Sequence, residues 1–362
     1  MNIAVDAREL SGRPTGVGRY LSELVASWSE SADAARHDWQ LIAHAPPATP
    51  VVLRHRLTLL AGSGGTSWEQ WTLRRWLSRT RPDVLFAPGY SAPLSAPCPV
   101  ALTIHDVSFA AHPEWFTVRE GRRRRLLASW SARRARLVLT DSQFSAGEIV
   151  SHLGIAPDRI KVVPLGMRAP LSAGAPGHRE PIILFVGSIF RRRHVDRLIE
   201  AFVHRIAVRV PESRLEIVGE NRTYPPQNVA QSLDTAPEAI ANRVAVHDYV
   251  EEAALRELYS RASVCAFLSE YEGFGLTPLE ALAAGVAPAV LDTPVAREVY
   301  GPAARYIPSL DEDTIADALI DLLINPGARQ ALLSRAPEVL ARYDWRRTAA
   351  ATLKAIEEAA GA

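Results

Sequence analysis

The sequence is poor in several features that would place it in a specialised class of protein. It has 2 cysteines in 362 residues, Cys98 and Cys265, too few and too far apart for a disulfide framework or a cysteine-based metal site. It has no run of roughly 18 apolar residues, so it predicts no transmembrane helix. It has no excess of charge of either sign, because 41 basic side chains stand against 40 acidic ones. The resulting net charge of +1 argues against a nucleic-acid partner.

The composition of the chain is that of a globular protein. Hydrophobic residues make up 48% of the chain and charged residues 22%, which is enough apolar surface to bury a core. The length favours two domains of ordinary size. The N-terminal segment MNIAVDAREL carries an acid where a signal peptide carries positive charge, so we predict a cytoplasmic protein with both cysteines reduced.

Short apolar runs alternate with longer amphipathic stretches along the whole chain. This alternation is typical of parallel strands joined by helices and predicts an α/β fold. The predicted strands are residues 2–7, 39–45, 83–88, 99–106, 136–142, 160–166, 181–188, 214–220, 243–250, 263–269 and 286–292.

A segment rich in Pro, Gly, Ala and Ser interrupts the alternation and predicts an interdomain linker at residues 168–180. We therefore predict an N-terminal domain at 1–167, a C-terminal domain at 181–342 and a final helix at 343–362. Two doubly wound domains would enclose a cleft, and ligands of such sheets bind outside the carboxyl ends of the strands. The functional residues should therefore follow the strands.

The most specific segment is SEYEGFGLTPLEALAAG at residues 269–285. It places Glu272 in a loop and Glu280 on the first turn of a helix that is predicted to start near Thr277 or Pro278. Carboxylates in such places accept hydrogen bonds from sugar or ribose hydroxyls, and the free backbone amides of the helix start bind phosphate oxygens. The alternative is a capped helix with an acidic first turn.

A cluster of cations, Arg191 to Arg193 with His194, follows the strand at 181–188, and a helix is predicted to begin at Asp196. Cations beside a helix start oppose the helix dipole, a conflict that a bound diphosphate would resolve. The alternative is a solvated run of charge.

Two further candidates lie in the N-terminal half. Gly16 and Gly18 come just before an amphipathic helix, where glycine lets the backbone approach a phosphate or sugar, although a simple turn and cap explains them equally well. His105 and Asp106 end a central strand and are candidates for binding sugar hydroxyls or for acid–base work, against a structural histidine.

Two charged stretches remain ambiguous. Residues 116–136 carry eight arginines against one glutamate, with Leu126, Leu127 and Trp130 among them. A basic amphipathic helix of this kind binds an anionic membrane surface or is simply solvated. The acidic residues 311–313 suggest either a metal site or, preferably, a helix cap, and we predict no metal.

Taken together, these residues resemble the family 4 retaining glycosyltransferases of the GT-B fold. The resemblance runs through most of the chain, and its motifs are TGVGRYLSEL, TIHDVSFAAHPEWF, LTDSQFSAGEIVSHLGIAPDRIKVVPLG, ILFVGS with the arginines, LEIVGENRTYPP and SEYEGFGLTPLEALAAG. The resemblance implies two doubly wound Rossmann-like domains facing a central cleft, with the C-terminal helix crossing back to the first domain.

The resemblance assigns several residues to the diphosphate of a nucleotide-sugar donor. They are Arg192, Arg193, the backbone amides of Gly275, Leu276 and Thr277, and the glycine loop of Gly16 and Gly18. The family has an arginine and a lysine where this chain has two arginines, which keeps the charge but not the compact ammonium geometry.

The resemblance also implies contacts to the rest of the donor. His105 corresponds to a family histidine near the donor sugar, and Glu272 would contact that sugar. Glu280 would bind the ribose hydroxyls. Tyr249 and Val250 resemble the edge that binds the base.

The implied function is a retaining hexosyltransferase of cell-surface polysaccharide synthesis that needs neither a metal nor a cofactor. GDP-mannose or a related GDP-hexose is favoured as donor over a UDP-sugar, with mannose the favoured hexose, and the acceptor would be a glycan or a lipid-linked intermediate. The arginine-rich segment would place the protein peripherally at the inner membrane face. The alternatives are a GT-B-fold sugar-nucleotide epimerase or hydrolase, and a nucleotide-sugar binding subunit without activity.

Overall fold

A computed structural model describes residues 1–12, 16–47, 56–167 and 179–361. The described residues divide into two compact units. The first comprises residues 1–113, 118–166 and 343–362, and the second comprises 114–117 and 167–342. The short segment 114–117 thus groups with the second unit, although it lies within the predicted first domain. Most of the predicted linker, residues 168–178, lies outside the described residues.

The first unit is built on a seven-stranded sheet in the order β3-β2-β1-β4-β5-β6-β7, with every pair parallel. Its strands are β1 Asn2–Asp6, β2 Asp38–Ala43, β3 Arg56–Leu59, β4 Val84–Ala87, β5 Val100–Thr103, β6 Leu137–Thr140 and β7 Ile160–Val162. Its helices include Gly16–Glu30, Trp68–Leu73 continuing into Arg74–Thr80, Ser108–Ala111, Val118–Arg134, Gln143–Leu153 and Trp345–Ala360.

The second unit is built on a six-stranded parallel sheet in the order β10-β9-β8-β11-β12-β13. Its strands are β8 Glu180–Val186, β9 Arg214–Val218, β10 Val244–His247, β11 Ala262–Phe267, β12 Ala287–Leu291 and β13 Arg305–Ile307. Its helices include Val195–Ala201 continuing through Phe202–Ile206 to Ala207–Arg209, Glu238–Ala241, Glu252–Arg261, Leu276–Ala283, Pro294–Tyr300, Glu312–Ile324, Pro326–Leu333 and Ala336–Leu340.

Both sheets are doubly wound, as the sequence predicts. The central strands β4, β5, β6, β11 and β12 are buried along their whole length, which explains their continuous apolar sequences. All eleven predicted strands are present. In each sheet the strand order reverses beside the first strand, between β1 and β4 and between β8 and β11, and such switch points are where open parallel sheets bind ligands.

The C-terminal helix Trp345–Ala360 packs within the first unit. The indole of Trp28 donates a hydrogen bond to the carbonyl of Ala349 at 2.9 Å and stacks on Trp39 with 4.5 Å between ring centroids. Trp28 is 2% exposed, so truncating it to alanine would cost about 3–5 kcal/mol of stability. This packing ties the end of the chain to the first strands of the sheet.

The acidic residues 311–313 lie at the start of a helix. Asp311 is the N-cap of the helix Glu312–Ile324, and its Oδ1 accepts a hydrogen bond from the amide of Thr314 at 2.8 Å. The preferred interpretation of residues 311–313, a helix cap, is therefore confirmed. None of the described helices is long and apolar enough to cross a bilayer.

Candidate active site

The two most specific motifs of the sequence meet at the switch point of the second sheet. One follows β8 and carries the arginines, and the other follows β11 and carries Glu272. The amide of Glu270 donates to the carbonyl of Arg192 at 3.0 Å and joins the two loops. The topology therefore assembles at one sheet edge residues that are about 80 positions apart in sequence.

Glu272 is the centre of this cluster. Its Oε1 accepts hydrogen bonds from Nε of Arg193 at 2.8 Å and from Oγ of Ser269 at 2.9 Å, and Nε of Arg192 lies 4.0 Å away. Burial raises the pKa of Glu272, but the charges of Arg193 and Arg192 outweigh it and hold the pKa below its ordinary value. Glu272 is therefore an anion, and Oε2 makes no hydrogen bond to a described residue.

Arg192 and Arg193 are fixed and mostly buried, whereas Arg191 is exposed, so the alternative of a solvated charge run is wrong for Arg192 and Arg193. The side chains of Arg192 and Arg193 are 16% and 14% exposed. Arg192 donates through Nε to the carbonyl of Tyr271 at 3.1 Å, and Arg193 donates through Nη1 to the carbonyl of Ser188 at 3.0 Å. The guanidinium of Arg192 also lies 4.4 Å from the ring centroid of Phe190. These contacts pre-organise two cations at the carboxyl end of β8.

The next helix begins one residue earlier than predicted, at Val195 instead of Asp196. His194 precedes it in a left-handed conformation with φ of 47°, and its Nε2 lies 3.4 Å from Oε1 of Glu270. The three arginines form a short turn of their own before this residue. The cations thus lie ahead of the helix axis and not in its first turn.

The helix after the Glu272 loop is Leu276–Ala283, with the left-handed Gly275 as its N-cap residue. It begins at Leu276, slightly before the predicted start near Thr277 or Pro278, so Glu280 lies one turn into the helix. No side chain caps this end, and the first amides of a helix have no partner within the helix itself. The amides of Leu276 and Thr277 therefore belong to an end that attracts anions.

Gly187 shows how closely this helix start approaches the arginines. A Cβ atom on Gly187, whose φ is 129°, would lie 2.5 Å from Nη1 of Arg193 and 4.0 Å from Oγ1 of Thr277. Arg193 and Thr277 therefore border the same side of the backbone at the end of β8. Only glycine leaves room for the guanidinium here.

The predicted base-binding residues lie after β10. Tyr249 is 74% exposed, whereas Val250 packs against a core cluster that includes Cys265 and Ala281. Burial raises the pKa of the Cys265 thiol to about 12, and the nearby charge of Glu280 adds to this effect. Glu280 and Val250 thus border the same part of the core.

In the first unit, Gly16 and Gly18 form the first turn of the helix Gly16–Glu30 and do not precede it. The sequence prediction placed them before the helix, and the chain immediately ahead of Gly16 is outside the described residues. Because glycine has no side chain, no Cβ atom covers the backbone of this first turn at either position. A Cβ on Gly89, after β4, would lie 3.1 Å from Cγ1 of Val17, which places this helix start next to the end of β4.

His105 is held at both ring nitrogens. Its Nδ1 lies 2.8 Å from Oδ2 of Asp141, and its Nε2 lies 3.0 Å from the carbonyl oxygen of Pro88. A carbonyl only accepts, so Nε2 carries a proton and Nδ1 shares one with the carboxylate. Burial lowers the pKa of His105, but Asp141 outweighs it and the net pKa is raised.

Both ring nitrogens of His105 are engaged in this structure, and its candidate roles in binding sugar hydroxyls or in acid–base work stay predictions. To move a proton at either nitrogen, the ring must first break one of these hydrogen bonds. The neighbouring Asp106 is also engaged, because its Oδ2 accepts from the phenol of Tyr90 at 2.9 Å and its Oδ1 from the amide of Ser108 at 2.8 Å. Tyr90 adopts φ of 60°, an uncommon conformation for a residue other than glycine. These contacts order the loop after β4.

Sequence reasoning missed several residues of these clusters. Ser269 ends a predicted strand and adjoins the Glu272 motif, so the sequence could have indicated it. Asp141 and Tyr300 carry no local signal, since their partners His105 and Gly275 are distant in sequence and are found only once the strand order is known.

Chemically, the second unit offers two fixed cations, a helix start with free amides and an ionised carboxylate within one cluster. Such an array can bind a diphosphate through cations and amides while a carboxylate binds hydroxyls. It can also stabilise negative charge that develops on a leaving phosphate.

Family models match both parts of the chain. The model described as Glycosyltransferase Family 4 matches residues 14–168, and the model described as Glycosyl transferases group 1 matches residues 173–339. The matched ranges include all of the predicted site residues.

Curated relatives are glycosyltransferases as well. A D-inositol 3-phosphate glycosyltransferase of Kribbella flavida is 32% identical over 61% of this chain and 56% of its own length. A phosphatidyl-myo-inositol mannosyltransferase of Mycolicibacterium smegmatis is 30% identical over 54% of this chain and 49% of its own, and the O-antigen chain mannosyltransferase B of Escherichia coli is 24% identical over 70% and 68%. The chain thus aligns with about half to two thirds of the length of these relatives.

Solved structures share the fold along nearly the whole chain. Sucrose-phosphate synthase from Thermosynechococcus elongatus has a TM-score of 0.76 at 16% identity and covers 99% of this chain and 98% of its own. HepE of Anabaena in complex with UDP and glucose has a TM-score of 0.73 at 18% identity, covering 98% and 99%. The fold is that of the GT-B glycosyltransferases, and the chain belongs to glycosyltransferase family 4.

Proposed function

We propose that the protein is a retaining, metal-independent glycosyltransferase that moves a hexose from a nucleotide-diphosphate sugar to a glycan or lipid-linked acceptor. The observation that carries the proposal is the cluster of Arg192, Arg193 and Glu272 beside the start of the helix Leu276–Ala283. It combines the charges that a sugar diphosphate requires with the carboxylate that sugar hydroxyls require.

The chemistry follows from where charge develops. Breaking the bond between sugar and diphosphate builds positive character on the anomeric carbon and negative charge on the departing phosphate. Arg192, Arg193 and the amides of Leu276 and Thr277 would stabilise the departing phosphate, because they are already fixed before the reaction. Oε1 of Glu272 is engaged by Arg193 and Ser269, so Oε2 would accept hydrogen bonds from the sugar.

His105 enters this proposal as a positioning residue. Its contacts with Asp141 and Pro88 hold the loop after β4, which adjoins the helix that starts at Gly16 and Gly18. These two glycines would let the backbone approach the donor, as the resemblance implies.

We propose mannose as the sugar and GDP as the nucleotide. The names of the Escherichia coli and Mycolicibacterium smegmatis relatives, both mannosyltransferases, support mannose. The HepE structure contains UDP, so UDP is the competing nucleotide. The exposed Tyr249, Val250 beside it and Glu280 are the residues we expect to contact the nucleoside.

A thermal-shift panel of GDP, UDP, ADP and their sugars tests the donor. A ligand that binds only the native state raises the melting temperature, by an amount that grows with the ratio of its concentration to Kd. We expect GDP and GDP-mannose to give the largest shifts. No shift with any nucleotide at millimolar concentration contradicts the proposed donor.

Product analysis separates transfer from the alternatives. Labelled donor should give labelled product only when an acceptor extract is present, and the product should keep the anomeric configuration of the donor. An epimerase changes the donor without acceptor, a hydrolase releases free sugar, and a binding subunit gives no product.

We also propose peripheral attachment of the cytoplasmic protein to an anionic membrane. The helix Val118–Arg134 exposes arginines together with Leu126 and Trp130, which are 45% and 43% exposed. The helix that contains Gln70 lies beside it, because Gln70 and Ser131 both donate to the carbonyl of Ala92 at 3.1 and 3.2 Å. Trp71, next to Gln70, is 73% exposed and adds a second aromatic ring. Cations with exposed aromatic rings are the composition that binds an anionic lipid surface.

A further inference from the structure

Tyr300 lies at the end of the helix Pro294–Tyr300, with its ring beside the Glu272 loop. The residue is 2% exposed, and its phenol donates a hydrogen bond to the carbonyl oxygen of Gly275 at 2.8 Å. Burial and the nearby Glu272 carboxylate raise the pKa of Tyr300 well above its ordinary value. The phenol is therefore always a donor at physiological pH.

The contact explains why residue 275 is glycine. Gly275 has φ of 87°, a conformation that other residues rarely adopt, and a Cβ there would lie 2.2 Å from the phenol oxygen of Tyr300. Both the backbone conformation and the close approach of the phenol exclude a side chain. The phenol of Tyr300 thus packs directly against the Gly275 backbone at the start of the helix Leu276–Ala283.

The geometry of the peptide bond fixes where the amide of Leu276 points. The peptide that joins Gly275 to Leu276 is planar and trans, so the carbonyl of Gly275 and the amide N–H of Leu276 point to opposite sides. With the carbonyl held against Tyr300, the amide of Leu276 points away from the buried phenol. That amide is one of those we expect to bind the donor diphosphate.

We propose that Tyr300 is a positioning residue for diphosphate recognition: by holding the carbonyl of Gly275, it aims the amide of Leu276 at the donor's phosphates. The inference rests on the proposed function, because it assumes that a diphosphate binds at this helix start. It adds a residue outside both sequence motifs, from a different helix, to the machinery that binds the donor.

The chain offers a matched control. Tyr306, in the same unit, also donates its phenol to a glycine carbonyl, that of Gly301 at 2.6 Å, and lies 3.3 Å from the carbonyl of Ala296. Its contacts fix the end of the helix Pro294–Tyr300 and not the start of the helix Leu276–Ala283. Replacing either tyrosine by phenylalanine removes one hydroxyl and keeps the ring, so the two losses of stability should be similar.

The experiment compares wild type, Tyr300→Phe and Tyr306→Phe by calorimetric titration. The probes are GDP and UDP and the corresponding nucleosides, guanosine and uridine. For Tyr300→Phe we expect binding of the preferred diphosphate to weaken about tenfold while nucleoside binding is unchanged, because only the phosphates meet the misdirected amide. The donor KM should rise by the same factor. Tyr306→Phe should bind the preferred diphosphate and its nucleoside as wild type does.

Three results would overturn the inference. Equal diphosphate affinity for the two variants removes the special role of Tyr300. Equal loss of nucleoside and diphosphate affinity in Tyr300→Phe indicates general damage to the unit. Wild-type protein that binds neither GDP nor UDP refutes the proposed donor, and the inference with it, before any variant is compared.

Discussion

The Nε atom of Arg193 donates to Oε1 of Glu272 across 2.8 Å, and this hydrogen bond joins the ends of two adjacent strands. The arginine reaches Glu272 because Gly187 leaves space for its guanidinium, and the glutamate is kept ionised by the same arginine. Each residue therefore fixes the geometry and the charge of the other. The pair is the part of the site on which the proposed chemistry depends most.

Replacing Glu272 by glutamine should nearly abolish transfer. Glutamine keeps the shape but not the charge, so Arg193 loses its ionic partner and the sugar loses an anionic acceptor. We expect kcat/KM to fall at least about 100-fold, and stability to fall by about 1–3 kcal/mol because a buried charge is left unpaired. Steady-state kinetics and urea unfolding measure the two effects.

The control for this change is Glu270→Gln in the same loop. Glu270 pairs with His194 at 3.4 Å and is more exposed than Glu272. We expect less than a threefold change in kcat/KM for this variant. If Glu270→Gln and Glu272→Gln lose the same activity, the loop as a whole matters and Glu272 has no special role.

Gly275→Ala should destabilise the protein more than the same change at another left-handed glycine. The new methyl group would meet the phenol of Tyr300 at 2.2 Å, whereas alanine at Gly154, with φ of 66°, would have nothing within 4 Å. We expect about 1 kcal/mol for Gly154→Ala from backbone strain alone, and at least about 1 kcal/mol more for Gly275→Ala. Equal losses in chemical unfolding would show that the loop moves to accept the methyl group.

The strands and the active-site motifs were predictable because both are local patterns. Strands such as β5 and β11 are continuous apolar runs, and the residues from Glu272 to Glu280 are contiguous. The strands β3 and β13 were missed. Both lie at a sheet edge and begin with an exposed arginine, and Arg56–Leu59 has no fully buried residue while Arg305–Ile307 has one.

Contacts between distant segments were beyond the sequence. The partners of His105 and Tyr300 lie 36 and 25 residues away, and nothing local marks them. The pairing of the arginine turn with the Glu272 loop requires knowing that β8 and β11 are neighbours, which depends on the order of the whole sheet. The helix starts at Val195 and Leu276 differ slightly from the predictions because backbone conformation at His194 and Gly275 decides them.

Asp6 should make the protein less stable as the pH rises from about 4 to about 6. Burial raises the pKa of Asp6 to about 6, against the opposing charge of Arg8, while Glu69 and Glu9 raise it further. Below the unfolded value of about 3.9 both states hold the proton, and between the two values only the folded state does. The stability from this proton is therefore lost as the pH rises through 6, up to about 3 kcal/mol.

Urea unfolding of wild type and Asp6→Asn at pH 4, 5, 6 and 7 isolates this effect. The unfolding free energy of wild type minus that of Asp6→Asn should fall as the pH rises and should level off above pH 7. The exposed Asp33, changed to asparagine, serves as control and should give a nearly constant difference. A constant difference for Asp6→Asn would show that its carboxyl titrates normally.

Membrane binding should depend on the exposed cations of the helix Val118–Arg134. Arg122 and Arg125 are exposed on this helix, and each cation near an anionic bilayer contributes about 1 kcal/mol. The double variant Arg122→Gln and Arg125→Gln should therefore bind phosphatidylglycerol vesicles roughly thirty-fold more weakly at low salt.

The control for this change is the double variant Arg205→Gln and Arg209→Gln, because these arginines are exposed but pair with Asp313 and Asp317 on a neighbouring helix. Co-sedimentation with vesicles should be strong for wild type and this control, weak for the test variant, and lost at 0.5 M salt, where charges are screened within about 4 Å. Wild-type protein that remains in the supernatant with anionic vesicles would leave the arginines as a solvated face.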